Sequence, residues 1–416
     1  MLYRFALVVA ALPVGAVAQE TPALSLDALV HEVVASNPER QFYQRQIETA
    51  GVERQAAGRL PDPQLTVEFG QRRAYDAATG LPTGDGAAYT VSVVQPIEFG
   101  GRIALRRAIA DRQIELARIG LAQFGATLAA RARSLGYGLF AADEKATAAR
   151  AVAMRMRAVA QVIVTRDPAG PAPRLEAAVL QAGAISAERD AATADAQANT
   201  ILYELNQLRG VPFAARLRIV RPAMSLPDLP AATTIAAMVD ANNFELRALR
   251  VQFEQQGLRV DLAKKARFPI VSVGPYYGRS RADNRETNYG VRLSSNLPVW
   301  NAQAGEVAAE QGRQAQADAT LVSTQRRIAR EVFDHAAQYE AKRRALGRWD
   351  ADSPQRFAEA AAEADRHFRL GAIPLATYTQ MQSSYLSAMS AVLETRREAL
   401  EALLSLRALG SDGPSE

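Results

Sequence analysis

From Arg102 to Arg166 the chain contains no proline and is rich in alanine, leucine and arginine, residues that give up little on entering a helix. At 1.5 Å per residue such a helix is roughly 100 Å long. No single compact domain holds an element of that length, so an elongated, mainly helical protein is expected. Gly170-Pro171-Ala172-Pro173 breaks the run. A second helical stretch then goes from Arg174 to Arg209, where Gly210 and Pro212 stop it.

The plan is used twice. Asn37-Pro38-Glu39 matches Asn243-Phe244-Glu245, and the match continues in constant register through Gln46 and Gln252, Gly51 and Gly257, Pro63 and Pro269, and Val67 and Val273. Tyr89-Thr90-Val91 then meets Tyr289-Gly290-Val291, and Gly210 meets Gly410. A period of about 200 residues is a duplicated subdomain rather than a solenoid repeat. The expected divisions are a leader at 1–18, a first repeat at 19–210, a linker at 211–234, a second repeat at 235–410 and a tail at 411–416. Within the repeats, hairpins are expected at about 64–98 and 269–298, and long helices at about 102–209 and 303–409. The second long helix is expected to break around Asp352-Ser353-Pro354 and to turn between Gly371 and Pro374.

Each repeat opens with a helix. The first is expected to start near Asn37, a good cap followed by proline, and to end near Gly58. A hairpin follows. Gln64 to Phe69 alternates with period two, Gly80 to Gly86 is expected as a loop, and Tyr89 to Val93 alternates again. The second repeat does the same with Val271-Ser272-Val273 and Tyr289 to Leu293. A further short strand is expected at Leu217 to Val220.

Solvent decides what such hairpins can do. In hydrocarbon every unpaired backbone N–H or C=O costs several kcal/mol, so strands span a membrane only as a closed barrel. Four strands are too few, since bacterial barrels begin at about eight. If the hairpins are transmembrane, several chains must pool them. Leu65, Val67, Phe69, Tyr89, Val91, Val93, Val271, Val273, Tyr289, Val291 and Leu293 are then the lipid-facing set. Thr66, Glu68, Thr90, Ser92, Ser272, Arg292 and Ser294 face a wet lumen, and Tyr75, Tyr89, Tyr276, Tyr277, Tyr289 and Trp300 supply an aromatic belt.

The N-terminus fits export. Met1 to Arg4 is a short basic start, Phe5 to Val14 is apolar, and Ala16-Val17-Ala18 suits cleavage before Gln19. No stretch is long and apolar enough for a transmembrane helix. The composition, 48% hydrophobic but 6% aromatic, suits closely packed helices of small residues. A net charge of +5 is spread through segments such as Arg326-Arg327-Ile328-Ala329-Arg330-Glu331 rather than gathered in one patch, which argues against a nucleic-acid partner. The lack of cysteine excludes disulfides and thiolate chemistry.

This layout resembles the TolC family of outer-membrane efflux factors over nearly the whole chain. Gln95-Pro96-Ile97-Glu98-Phe99-Gly100-Gly101-Arg102 is similar to the strand-to-helix segment of its CzcC-like, cobalt–zinc–cadmium efflux branch, with Leu297-Pro298-Val299-Trp300-Asn301 as the shorter second copy. Arg366-His367-Phe368-Arg369-Leu370-Gly371, followed by Leu375 and Tyr378, resembles the family's helical tip, and Gly170, Arg174 and Leu175 form a degenerate copy. The resemblance implies a mainly α fold with a small β part. It also implies a homotrimer with a twelve-stranded barrel in the bacterial outer membrane and a long α-barrel crossing the periplasm. A periplasmic adaptor and an inner-membrane pump of the resistance-nodulation-division (RND) type are the implied partners, and heavy-metal cations the implied cargo. Arg166, Gly170, Arg174, Leu175, Arg369, Leu370, Gly371, Ile373, Leu375, Thr377 and Gln380 are the implied adaptor and gate residues. Thr377 and Gln380 stand where some members carry an acidic constriction; Asp365 and Glu363 are expected on a solvated helix face.

Nothing in the sequence argues for an enzyme or a cofactor. His31-Glu32 opens like a zinc-protease motif, but Ala35 stands where the second histidine is required, and His335 and His367 are expected at the surface. Gly84-Asp85-Gly86 lacks the third glycine of a dinucleotide loop. Drug efflux and type I protein secretion are the alternatives within the same architecture. A soluble periplasmic coiled-coil scaffold or adaptor is the alternative outside it, and would not need two alternating hairpins at equivalent positions.

Overall fold

The computed structural model describes residues 23–166, 171–222, 226–282, 284–296, 304–349 and 353–410. The expected leader and tail, Gly170, and the segment from Leu297 through Trp300 to Gln303 lie outside the described residues. In chain order the elements are β1 (Ala23–Leu24), α1 (Leu26–Ser36), α2 (Arg40–Ala57), β2 (Gln64–Tyr75), β3 (Pro82–Ile97), α3 (Arg102–Arg166), α4 (Pro171–Arg209) and β4 (Arg218–Ile219). There follow α5 (Ala232–Asn242), α6 (Phe244–Lys265), β5 (Val271–Arg281), β6 (Arg285–Ser295), α7 (Ala304–Gly347), α8 (Ser353–Arg369) and α9 (Leu375–Gly410). The proline-free run is one 65-residue helix.

The chain divides into two compact units, each drawing on both halves of the sequence. A helical unit takes Met1–Ala35, Ala132–Ser225 and Asp350–Arg397, and a sheet-bearing unit takes Ser36–Arg131, Leu226–Trp349 and Glu398–Glu416. The physical reason is that α3 and α9 are too long for either core and are shared between the two.

The helical unit is held by small and aromatic residues. Val152, Ala153, Met156, Val159 and Ala160 of α3 pack with Leu180, Ala184 and Ala187 of α4 and with Ala361, Tyr378 and Tyr385 of α8 and α9. Alanine at these positions lets helix backbones approach closely, so dispersion contacts replace bulk. Asn206, fully buried, gives both amide hydrogens to backbone carbonyls, of Phe213 at 2.7 Å and Ala215 at 2.8 Å. It thereby fastens the chain that leaves α4. The short strand expected at Leu217 to Val220 is β4, and it pairs in parallel with β1.

In the sheet-bearing unit, Ile235, Val239, Leu246, Ile328, Val332, Ala336 and Leu406 form a core from α5, α6, α7 and α9. Asn243 caps α6 by accepting the Leu246 N–H at 3.0 Å and reaches the Leu409 carbonyl at 2.8 Å. Its counterpart Asn37 accepts the Glu39 N–H at 2.9 Å, and α2 begins only at Arg40, after the turn at Pro38.

The two hairpins form one four-stranded antiparallel sheet in the order β2-β3-β5-β6. The expected loop from Gly80 to Gly86 is largely strand, because β3 begins at Pro82. Gly86 lies so close to β5 that a Cβ there would stand 1.6 Å from the Arg281 carbonyl oxygen. Glycine thus serves close backbone approach at this position, not looseness.

Candidate functional site

Strand register sorts the side chains of the sheet. Leu65 pairs with Val93, Val67 with Val91 and Phe69 with Tyr89. Val91 pairs with Tyr277 across the central seam, and Val273 and Tyr277 pair with Leu293 and Tyr289. Directly paired residues share a face, so all eleven of the residues predicted to face lipid lie on one side. Most have no cover: Phe69, Tyr289, Val291, Leu293 and Leu65 are exposed by 84, 80, 72, 71 and 66%. Tyr89, Val91, Val271 and Val273 are half-buried. Tyr276 corrects the expected belt, because alternation puts it on the opposite face, where the Arg292 guanidinium lies 5.8 Å from its ring centre.

That opposite face is polar and cross-linked. Arg72 of β2 pairs with Glu286 of β6 and donates to the Ser280 hydroxyl at 3.0 Å. Arg292 donates to the Ser92 hydroxyl at 3.0 Å and stands 3.8 Å from Glu68. These contacts tie β2 and β3 to β5 and β6. The pattern is a sheet with one apolar, uncovered side and one hydrated, charge-paired side, and each strand has at least the 11 residues of β5, enough to span hydrocarbon.

At the end of β3, Gln95 donates to the Pro61 carbonyl at 2.7 Å. Glu98, its side chain 6% exposed, accepts from Arg106 through Oε1 at 3.0 Å, with Oε2 in ion-pair distance of the same guanidinium at 2.7 Å. The segment that carried the branch resemblance is thus a structural joint between strand and long helix.

In the helical unit, α8 ends on Gly371 at φ +74°. The Gly371 N–H reaches the Phe368 carbonyl and the Ala372 N–H the His367 carbonyl, both at 2.9 Å, which is the Schellman arrangement. Phe368 stacks on Tyr378 at 4.9 Å between ring centres. Ile373 and Leu375 pack on the core beside them, whereas Leu370 and Leu175 are 81 and 70% exposed. Arg174, Thr377 and Gln380 are at the surface, with Gln380 donating to Ser384 at 3.2 Å. Arg166 is the last residue of α3; Gly170 lies outside the described residues.

Asp365 differs from expectation. It is buried, accepting the Tyr378 hydroxyl at 3.2 Å and the Arg369 Nε–H at 2.9 Å. Burial, together with the Asp365 carboxylate, pushes the Tyr378 phenol well above its ordinary range. The spacing of Asp365 to Arg369 was legible as an i,i+4 pair. What could have marked it as buried is Tyr378 just beyond the glycine turn. Glu363, by contrast, is exposed, 3.7 Å from His367.

A cavity of about 440 Å³ lies in the same unit, lined by Tyr137, Phe140, Glu144, Arg221, Tyr385 and Arg396 among others. The Tyr137 hydroxyl is buried there without a hydrogen-bond partner. Among the described residues no three of histidine, aspartate or glutamate converge as a metal site, and no helix is long and apolar enough to cross a membrane.

Residues 236–410 match the family model described as outer membrane efflux protein. No curated protein matches the sequence. The fold is similar to that of CusC, whose structures concern folding and transmembrane channel formation, with a TM-score of 0.72 at 13% identity over 94% of this chain and 93% of that one. It is equally similar to the CmeC outer membrane channel of Campylobacter jejuni, with a TM-score of 0.72 at 13% identity over 99 and 94%. The open state of the MtrE outer membrane channel of Neisseria gonorrhoeae gives 0.70 at 17% identity over 93 and 89%. The fold is therefore the TolC-like one.

Proposed function

We propose that this chain is an outer-membrane exit duct of a tripartite efflux system, assembled as a homotrimer and coupled to a periplasmic adaptor and an RND-type inner-membrane pump. The observation that carries this reading is the one-sided sheet. Its outer strands are β2 and β6, and each offers a row of backbone donors and acceptors that hydrocarbon cannot satisfy. Joining the β2 edge of one chain to the β6 edge of the next removes both. Three chains make twelve strands, the apolar face meets lipid, and the face of Arg72, Glu68, Glu286 and Arg292 lines a water-filled lumen. The family match of residues 236–410 and the TolC-like fold support the same reading.

The chain performs no chemistry in this scheme. It supplies a path, while the pump supplies the energy. The turn around Arg369, Leu370 and Gly371, with its weaker copy at Arg174 and Leu175, is the adaptor and gate end. Exposed leucines on a rigid helical turn suit docking, and small shifts of packed helices suit gating. Heavy-metal cations are the cargo, a reading supported by the Gln95 to Arg102 segment.

Two measurements test this. The chain is expected to stay in the membrane pellet through carbonate washing and to run as a three-copy particle in uncharged detergent; release by carbonate or a stable single-copy particle overturns the duct. Deletion is expected to raise sensitivity to zinc, cobalt or cadmium. Unchanged metal tolerance with lost drug resistance would move the cargo to drugs and leave the duct standing.

A further inference from the structure

Beyond the tyrosines, the apolar face of β5 and β6 becomes cationic. Tyr277 pairs with Tyr289, Arg279 with Tyr89 and Thr287, and Arg281 with Arg285. Alternation puts Arg279, Arg281 and Arg285 on the same side as the tyrosines, with the Arg281 and Arg285 row two such steps beyond. At about 3.4 Å per residue that is roughly 14 Å from the Tyr277 row, with Arg279 half-way between.

Arg281 directly opposite Arg285 is a like-charge pair, which destabilises a ladder unless an anion lies between. Among the described residues the nearby carboxylates are engaged elsewhere. Glu286 is on the other face with Arg72, and Asp85 pairs with Arg73 at 3.5 Å. Among the described residues no ion pair is formed by any of the three arginines; Asp283 lies outside them.

We propose that these three arginines are a docking surface for the phosphorylated headgroup of an outer-leaflet glycolipid. This rests on the outer-membrane reading above. Tyrosines settle at the headgroup level of a bilayer, so guanidiniums just beyond them on the lipid-facing side meet headgroup phosphates. Guanidinium holds phosphate oxygens two at a time. Three clustered cations around a like-charge pair suit a headgroup with more than one phosphomonoester, in preference to a single phosphodiester.

The test uses the full chain extracted in uncharged detergent and titrated with diphosphoryl lipid A, with bound lipid counted by native mass spectrometry. Wild-type protein is expected to retain it, less so as salt rises, and not to retain the dephosphorylated lipid. Retention by the variant carrying R279Q, R281Q and R285Q is expected to fall about tenfold or more, on the scale of removing basic residues at an anionic lipid surface. Should the triple variant not fold, Arg281→Gln alone is expected to raise the melting temperature in lipid-free detergent while weakening lipid A retention. Unchanged retention by either variant, or equal retention of phosphatidylglycerol, overturns the proposal. Carbonate washing keeps the two readings apart: wild type that leaves the membrane pellet fails the outer-membrane reading, whereas pellet-bound wild type with unchanged lipid A retention in a variant fails this surface alone.

Discussion

On the sheet, Phe69 and Tyr289 stand 84 and 80% exposed, whereas in the helical unit Val152, Leu180 and Tyr378 are fully buried. Polar groups are reversed as well. Arg72 and Arg292 of the sheet are paired on its hydrated side, while Asp365 and Gln382 of the helical unit are buried among apolar side chains. Gln382 keeps its place by donating to the Ala361 carbonyl at 2.7 Å. In water the hydrophobic effect drives apolar side chains inward. A face that leaves Leu65, Phe69, Tyr289, Val291 and Leu293 outside is one that lipid or another protein surface would cover, so the two regions follow opposite burial rules.

A charge on the apolar face should therefore do the greatest harm. Val291→Arg is expected to cost about 2–4 kcal/mol per chain near mid-bilayer and to deplete the carbonate-resistant pellet. Ser294→Arg, on the other face of the same strand, should leave the pellet unchanged. Equal behaviour of the two would erase the distinction between the faces. Next in size is Leu180→Ala, which opens a cavity in the helical core at about 3 kcal/mol. Its mirror is Leu65→Ala, expected to leave the melting temperature in detergent nearly unchanged, since Leu65 has no core to vacate. Gly371→Ala comes third at about 1–2 kcal/mol, because a side chain is forced into the left-handed region. Its effect should fall on the melting of the helical unit, with sheet assembly in detergent intact.

How much of this was legible differs between the two regions for physical reasons. Period-two alternation fixes which residues share a face of a strand whatever surrounds it, so Leu65, Val67 and Phe69 declared a one-sided strand by themselves. The exception was Tyr276, which is aromatic but falls on the even side. Glycine misled at Gly86, because a close approach between strands and a turn call for the same residue. In the helical unit, Asp365 and Arg369 at i,i+4 look the same on a wet surface as in a core, and only tertiary packing against Tyr378 tells them apart. Helices α1 and α5 went unread, being short and set beside punctuating prolines. The parallel pairing of β1 with β4 joins residues too distant in sequence for any local pattern to announce.

Tyr137 gives the smallest expected effect and the sharpest contrast with the tyrosines of the sheet. Its hydroxyl is buried without a partner, and burial pushes its phenol from the ordinary 10.0 up to about 12. A folded-state value above the unfolded one means that the neutral phenol favours the fold. That contribution is complete below pH 10 and is lost as pH rises toward 12. Removing a buried hydroxyl that bonds to nothing spares its desolvation, so Tyr137→Phe is expected to stabilise by up to about 1 kcal/mol at neutral pH. As pH passes 10 the advantage of the phenylalanine variant should widen, because the wild-type unfolded chain gains an ionisation that the variant lacks. Thermal melts of both proteins at neutral pH and at about pH 11 measure this. A wild type more stable than Tyr137→Phe at neutral pH would mean that the hydroxyl is satisfied, whereas an unchanged difference between the two proteins at about pH 11 would mean that the fold does not hold the phenol neutral. Tyr289→Phe, on the exposed face, is expected to leave neutral-pH melting in detergent unchanged.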